Sequence, residues 1–128
     1  MKTRFIIALA MLAGFGLGTL AVQGLHAQAK PPVYQVTEID APNLESYLKD
    51  YAPKAQAAIK AAGGKYLAAG GKTTAIEGEP PKSRVTIQQW DSVEKIKAFR
   101  DSAAYKEILP LRDKLAKLRT FVVEGVPQ

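Results

Sequence analysis

The stretch that decides the fold is Ser83-Arg84-Val85-Thr86-Ile87-Gln88-Gln89-Trp90 (residues 83–90). Its β-branched residues and its period of two predict a β-strand. Val85 and Ile87 would lie on one face of that strand, and the opposite face would carry Arg84, Thr86, Gln88 and Trp90. This second face is too polar for a closed core and too aromatic for bare solvent. We therefore expect it to be the face that the helices of the same chain leave uncovered, so that a second copy covers it and leaves a cavity between the sheets.

Helical and extended patterns alternate on the N-terminal side of this strand. Residues 33–39 are rich in β-branched side chains and predict a first strand. Asn43 is a suitable N-cap for a helix over residues 44–62, which Pro53 should kink or split near Tyr51. Residues 65–69 predict a short strand after Gly63-Gly64, and residues 73–77 allow an additional strand or hairpin arm.

The C-terminal side of the strand predicts two helical pieces and a final strand. Asp91 is expected to cap the first piece and Ser102 the second, which Pro110 should bend. Residues 118–126 predict the last strand. The order is β-α-β-β-α-β, which is the ferredoxin-like α+β sandwich with an antiparallel sheet and both helices on one face. Pairing of two such sheets would form a dimeric α/β barrel, so we expect a homodimer.

The N-terminal 29 residues have the layout of a secretory signal peptide. Lys2 and Arg4 precede an uncharged, mostly apolar run over residues 5–22, and Ala27-Gln28-Ala29 offers a cleavage site. Cleavage after Ala29 would leave a linker at 30–32 and one domain at 33–126, exported to the periplasm or secreted. The apolar run is also just long enough to span a bilayer, so an uncleaved inner-membrane anchor is the alternative, and only then would the protein contact a membrane.

The residue inventory excludes several kinds of chemistry. The chain has no Cys, so it has no thiol nucleophile, disulfide or thiolate metal site. Its one His, His26, lies in the predicted signal peptide, so we expect neither a metal site nor a cofactor in the mature domain. The net charge of +6 is spread along the chain rather than clustered, which argues against nucleic-acid binding.

Two residues of the central strand are candidates for contacting a ligand. The planar fork of Arg84 suits a carboxylate or a phosphate, although a strand arginine often pairs with a carboxylate across the sheet. Trp90 could stack on a ligand, although such a tryptophan more commonly anchors an interface or caps a core.

A second candidate group lies on the last helix. Tyr105 and Arg112 are two turns apart on one helix face, beyond Ser102, and would present a hydroxyl and a cation to a pocket. The structural alternative is an N-cap at Ser102, a packed phenol and a salt bridge. Tyr47, Tyr51 and Tyr66 are interpreted as core aromatics with hydroxyl groups at the rim.

These residues are compatible with three functions. The first is a homodimeric domain that binds a small polar, anionic or polar-aromatic molecule, either between the sheets or beside the helices. The second is a cofactor-independent oxygenase- or isomerase-like enzyme acting on a phenol or enol, with Glu124 of the last strand, or a tyrosine, as the base. The third is a purely structural dimeric module. The residues leave open whether the protein is an enzyme.

Residues 33–126 resemble the domain of unknown function 1330 family, whose members belong to the dimeric α/β-barrel superfamily. The segments that carry the resemblance, read in order, are Asn43-Leu44-Glu45-Ser46-Tyr47 through Tyr51, Gly63-Gly64-Lys65-Tyr66-Leu67 with Gly70-Gly71, Ile76-Glu77-Gly78, Arg84-Val85-Thr86-Ile87, Trp90-Asp91-Ser92, Ser102-Ala103-Ala104-Tyr105 through Leu111-Arg112, and Val123-Glu124-Gly125-Val126. The resemblance implies a small dimer without a settled activity. Superfamily relatives include oxygenases, isomerase-like and dehalogenase-like enzymes, haem degraders and ligand-binding modules, and the fold does not choose among them. Members generally begin at the first strand, so the export segment departs from the family.

Overall fold

The computed structural model describes residues 30–128, and the predicted signal peptide or membrane anchor at residues 1–29 lies outside them. The strands are β1 (Val33–Asp40), β2 (Lys65–Ala69), β3 (Arg84–Trp90) and β4 (Lys117–Glu124). The helices are α1 (Leu44–Ser46), α2 (Ala52–Ala62), α3 (Val93–Asp101) and α4 (Ala103–Leu115), with a π-helical turn (Tyr47–Tyr51) between α1 and α2.

The strands form one antiparallel sheet in the order β2-β3-β1-β4, with the helices packed on one side. This confirms the ferredoxin-like α+β prediction. Within residues 30–128, no helix is both long enough and apolar enough to cross a membrane.

The first helical segment is interrupted where the sequence predicts it. Asn43 caps α1 by accepting a hydrogen bond from the backbone N–H of Ser46 at 3.1 Å. The π-helical turn ends at Tyr51, two residues before Pro53 in the first turn of α2. Proline has no N–H to donate to the preceding turn, so the regular helical hydrogen-bond pattern is broken there. The interruption therefore follows from the position of Pro53.

Other local predictions are corrected. Residues 73–77 form no strand. Ser92, rather than Asp91, caps α3, because its hydroxyl accepts from the backbone N–H of Lys95 at 3.2 Å while Asp91 pairs with the Lys95 side chain. β4 ends at Glu124 rather than at residue 126. Pro110 lies inside α4, where the sequence places it.

The prediction for the two faces of β3 is wrong. Thr86, Gln88 and Trp90 are buried on the side that the helices cover. On the other side the uncovered face of the sheet carries the apolar side chains of Val36, Val85, Ile87, Phe121 and Val123. The expectation rested on polar strand residues facing solvent. It fails here because the helices cover a polar cavity rather than a wholly apolar core.

The apolar core lies at the two ends of this covered face. Trp90 is 1% exposed and its ring centroid is 5.6 Å from that of Phe99 in α3. Gly64 allows this packing, because a Cβ at Gly64 would lie 2.6 Å from the Trp90 ring. Ile39, 2% exposed, lies at the other end of β1. The polar residues of the covered face lie between these two ends.

Candidate functional site

A cavity of about 50 Å³ lies between the sheet and the helices of the described domain. Its floor contains two matched pairs of strand residues, since Gln35 of β1 is opposite Gln88 of β3 and Thr37 is opposite Thr86. All four side chains are buried. Because buried polar groups are costly without partners, four of them on one covered face indicate a site built around polar contacts.

The roof of the cavity contains aromatic and basic side chains from the helical segments. Tyr47 and Tyr51 come from the π-helical turn, with ring centroids 5.2 Å apart. Tyr105 of α4 is also buried, and its hydroxyl accepts hydrogen bonds from Arg100 Nη1 at 3.2 Å and from Arg112 Nη1. These contacts hold both guanidinium groups at the cavity wall.

Arg84 lies at one end of the floor, opposite Ile39 of β1. Its Nε is buried without a hydrogen-bond partner, and no ion pair involves Arg84 among residues 30–128. Gly70 lies against it: a Cβ at Gly70 would overlap Arg84 Nη1, and Gly70 has a φ of +75°. The Gly70 N–H donates to the Val85 carbonyl at 3.0 Å, which holds this glycine beside the guanidinium. Gly70 thus provides the space that Arg84 occupies.

The charge around the cavity is strongly one-sided. Three arginines line it, Arg84, Arg100 and Arg112, and none of its described lining residues is Asp or Glu. Burial acts to lower the pKa of Arg112, but the side-chain hydrogen bond with Asp113 and the nearby Tyr105, Tyr51 and Asp113 groups together outweigh it, so the pKa lies above its ordinary value. Asp113 is itself 62% exposed, so it offsets little of the charge inside the cavity. The cavity is therefore a cationic environment.

Burial raises the pKa of Tyr47, Tyr51 and Tyr66 to about 12 in each case, and Arg84 opposes part of the shift at Tyr47 and Tyr66. These phenols are consequently neutral at physiological pH. A neutral phenol can donate a hydrogen bond to a ligand, but it is a poor proton acceptor.

The structure brings together three of the five predicted ligand residues. Arg84, Tyr105 and Arg112 all line the cavity. The cavity is lined by residues of the sheet and of the helices of one chain, so it does not lie between two sheets. The alternative that Arg84 pairs with a carboxylate across the sheet is wrong, because its neighbour is Ile39.

Ser102 and Trp90 have structural contacts instead. Ser102 Oγ accepts from the Tyr105 backbone N–H at 3.3 Å and donates to the Phe99 carbonyl at 2.5 Å, so it is the predicted N-cap. Trp90 packs in the core, and neither residue lines the cavity. Glu124, the candidate base, is exposed at the end of β4 opposite Val33 and is also absent from the lining.

The sequence interpretation missed Gln35, Thr37 and Arg100 as site residues. A signal for the floor is present in the sequence. Gln35-x-Thr37 in β1 and Thr86-x-Gln88 in β3 mirror each other, as expected for polar pairs on one face of an antiparallel pair. Arg100 carries no comparable signal, because an arginine in the last turn of a helix is common on surfaces.

In the described part of the chain, no group of three or more His, Asp or Glu side chains is arranged to hold a metal ion. The cavity side chains are donors and amides, which suit an anionic or polar organic molecule.

The fold is shared by several solved structures of low sequence identity. A protein of unknown function from Rhodopseudomonas palustris is 18% identical, with a TM-score of 0.60 over 77% of this chain and 85% of its own. A protein from Bacteroides thetaiotaomicron, described as a possible oxidoreductase, is 13% identical, with a TM-score of 0.52 over 76% of this chain and 100% of its own. A hypothetical protein from Arabidopsis thaliana is 16% identical, with a TM-score of 0.52 over 80% of this chain and 96% of its own.

No curated protein sequence matches the chain significantly. The family model described as Domain of unknown function (DUF1330) matches residues 32–126, which is nearly all of the described domain. The match agrees with the segments that carry the resemblance, and it extends from one residue before β1 to two residues after the end of β4. The chain belongs to the DUF1330 family.

Proposed function

We propose that this domain binds a small carboxylate in the cavity between its sheet and its helices. The observation that carries the proposal is that three arginines and no acidic residue are found among the described residues that line this cavity. Arginine binds carboxylates through paired N–H donors, and such hydrogen bonds strengthen where water is excluded. Arg84 lines this cavity, and its buried Nε is a donor without a partner in the described domain.

The volume of the cavity limits the size of the ligand. A water molecule needs at least about 10–15 Å³ of cavity volume, so the 50 Å³ cavity has room for roughly three or four waters. A cavity that takes up benzene is about 150 Å³. The space therefore favours a short aliphatic acid over the aromatic ligands that the sequence also allowed.

Binding is better supported than proton abstraction. The described lining residues include no carboxylate or imidazole, and the pKa of Tyr47, Tyr51 and Tyr66 is raised to about 12 by burial. A general base works best with a pKa near the working pH. The enzyme alternative with Glu124 as base would also need a ligand outside the cavity.

The test is a titration of the domain with propionate. Binding is monitored by calorimetry and by the fluorescence of Trp90, the sole tryptophan. We expect saturable binding that Arg84→Gln weakens about tenfold, since a charged hydrogen bond is worth roughly 1.5–3 kcal/mol. Arg119→Gln is the matched control, because Arg119 lies on the uncovered face with a side chain 71% exposed. The proposal fails if no carboxylate binds, or if both variants weaken binding equally.

We also propose that the domain is a homodimer that pairs through the uncovered face of the sheet. The support is the exposure of large apolar side chains there, with Phe121 at 43% and Val123 at 52%. A contiguous apolar patch on a sheet is typical of an interface. Light scattering of residues 30–128 at micromolar concentration should give twice the chain mass, and a stable monomer would contradict the proposal.

Export is proposed from the sequence of residues 1–29, with cleavage after Ala29. The basic start, the apolar run and the small residues of Ala27-Gln28-Ala29 support it. Intact mass measurement of the protein from its native cell fraction should give a chain that begins at Lys30. A chain that retains residues 1–29 in a membrane fraction would favour the anchored alternative.

A further inference from the structure

We infer that the bound molecule is a small hydroxy acid, whose hydroxyl group donates a hydrogen bond to Gln35 Oε1. This inference rests on the proposed carboxylate binding and adds a second recognition group to it. It follows from three side chains, Trp90, Gln88 and Gln35, which are linked by hydrogen bonds at one end of the cavity floor.

The orientation of these side chains is determined by Trp90. An indole N–H can only donate, and Trp90 Nε1 lies 2.8 Å from Gln88 Oε1. The Gln88 oxygen is therefore the acceptor. Gln35 Nε2 lies 3.2 Å from the same oxygen and donates to it. The opposite orientation of the Gln35 amide would place two carbonyl oxygens together, so Gln35 must keep its Oε1 turned away from Gln88.

That oxygen is a buried acceptor without a donor. Gln35 is only 6% exposed and lines the cavity, and its Oε1 has no hydrogen-bond partner in the described domain. Leaving a buried acceptor unpaired is unfavourable, so a ligand that supplies a donor gains affinity by satisfying it. The site thus offers donors at the arginines and a fixed acceptor at Gln35.

The donor on the ligand should be neutral. An ammonium group would also satisfy Gln35, but it would enter a cavity with Arg84, Arg100 and Arg112 and with no acidic residue among its described lining. Repulsion among like charges in a partly dry site disfavours that choice. A hydroxyl group carries no such penalty, so a hydroxy acid is preferred to an amino acid.

The spacing between the two recognition groups depends on the floor. Gln35 is four residues from Ile39, which is opposite Arg84, so their backbone levels are separated by about 13 Å. The side chains of Arg84 and Gln35 both line the cavity. Because the other two arginines also reach the cavity, the chain length of the acid is the variable to scan.

The test compares acids that differ only by a hydroxyl in place of a methyl group. Each acid is titrated into the protein, with calorimetry and Trp90 fluorescence as readouts. The pairs compared are glycolate with propionate, 3-hydroxypropionate with butyrate, and 4-hydroxybutyrate with valerate. We expect the hydroxy acid to bind about tenfold more tightly at one or more chain lengths, because a polar site discriminates against an analogue that leaves its acceptor unpaired.

Gln35→Met removes the acceptor at similar size. In this variant the hydroxy acid and the methyl acid should bind about equally, and the affinity for the methyl acid should stay within about threefold of the wild-type value. Gln89→Met, the same change on the uncovered face of β3, should keep the preference. The wild-type comparison alone tests the inference if Gln35→Met fails to fold.

Equal affinity for both members of every pair would overturn the hydroxy-acid inference and leave carboxylate binding intact. A preference that survives in folded Gln35→Met would overturn the assignment of Gln35. Absence of binding by all six acids would instead overturn the proposed function itself.

Discussion

The two faces of the sheet differ in polarity, with polar side chains under the helices and apolar side chains on the uncovered face. The face under the helices contains one Gln–Gln and one Thr–Thr cross-strand pair. The uncovered face contains Val36, Ile87 and Phe121 side by side. A sheet with one wet side normally buries its apolar side chains and exposes its polar ones. The two faces therefore correspond to the two proposals, with the polar cavity on the covered face and the proposed dimer contact on the other.

The covered face nevertheless depends on its apolar ends for stability, and this predicts the largest effect. Trp90→Ala should lower the free energy of unfolding by about 3–5 kcal/mol, because it removes a buried ring and leaves a cavity beside Phe99. Urea denaturation followed by circular dichroism measures it. Phe121→Ala on the uncovered face should cost under about 1 kcal/mol in dilute solution, with a loss that grows with protein concentration if the face is a dimer contact. Equal losses at low concentration would break the distinction between the faces.

The next effect concerns pH, and it belongs to the covered face. The pKa of Tyr47 is about 12 in the folded protein and its ordinary value is 10.0, so the unfolded chain loses the phenol proton first. The stability that this provides is complete below pH 10 and is lost as pH rises toward 12. A shift from 10.0 to about 12 corresponds to about 2.8 kcal/mol at 1.4 kcal/mol for each pKa unit, of which about 2 kcal/mol is lost by pH 12, so Tyr47→Phe should reduce the alkaline loss of stability by about 2 kcal/mol over this range. Urea denaturation between pH 9 and 12 measures it, and an unchanged slope would contradict the burial of the phenol.

The uncovered face is tested by a charge. Phe121→Lys should weaken self-association by at least about 30-fold, or 2 kcal/mol, if the aromatic ring lies at the centre of the contact. Leu48→Lys is the matched control, since Leu48 is exposed to a similar extent, 40% against 43%, but belongs to the π-helical turn. Sedimentation velocity over a concentration series measures both. If the two variants associate alike, the contact lies elsewhere.

The smallest effect sharpens the role of Arg84. Gly70 and Gly78 both have positive φ, +75° and +79°, so Ala at either position should cost about 1–2 kcal/mol of stability. Only a Cβ at Gly70 meets Arg84, whereas one at Gly78 meets nothing within 4 Å. Gly70→Ala should therefore also weaken propionate binding about fivefold, and Gly78→Ala should not. Calorimetry on both variants measures this, and equal affinities would show that Arg84 tolerates displacement.

Local chemistry made most of the elements predictable. The β-branched runs, the caps at Asn43 and Ser102 and the break before Pro53 depend on neighbours close in the chain, and the structure confirms them. The predicted cap of α3 was wrong by one residue. Asp91 and Ser92 are both good capping residues, and only the local geometry selects Ser92. Residues 73–77 form no strand, and within residues 30–128 they take no place in the four-stranded sheet.

The candidate site was predictable in part. Arg84, Tyr105 and Arg112 were identified because their chemistry is distinctive, and they do meet in one cavity. The prediction that Arg84 lies on the uncovered face of the sheet was wrong, because a strand's period of two shows which residues share a face but not which face the helices cover. Gln35, Thr37 and Arg100 gained importance only from their neighbours across the sheet and in α4.

The sequence by itself determined the elements, their order and the ferredoxin-like class, because these follow from local backbone preferences and from periodic patterns. Only the tertiary structure decided which side of β3 was covered, since that depends on the tyrosines and arginines that the helices place opposite it. Tertiary packing within residues 30–128 also left Gln35 Oε1 and Arg84 Nε buried without hydrogen-bond partners. An unpaired buried atom is defined by everything around it, and no stretch of sequence contains that information.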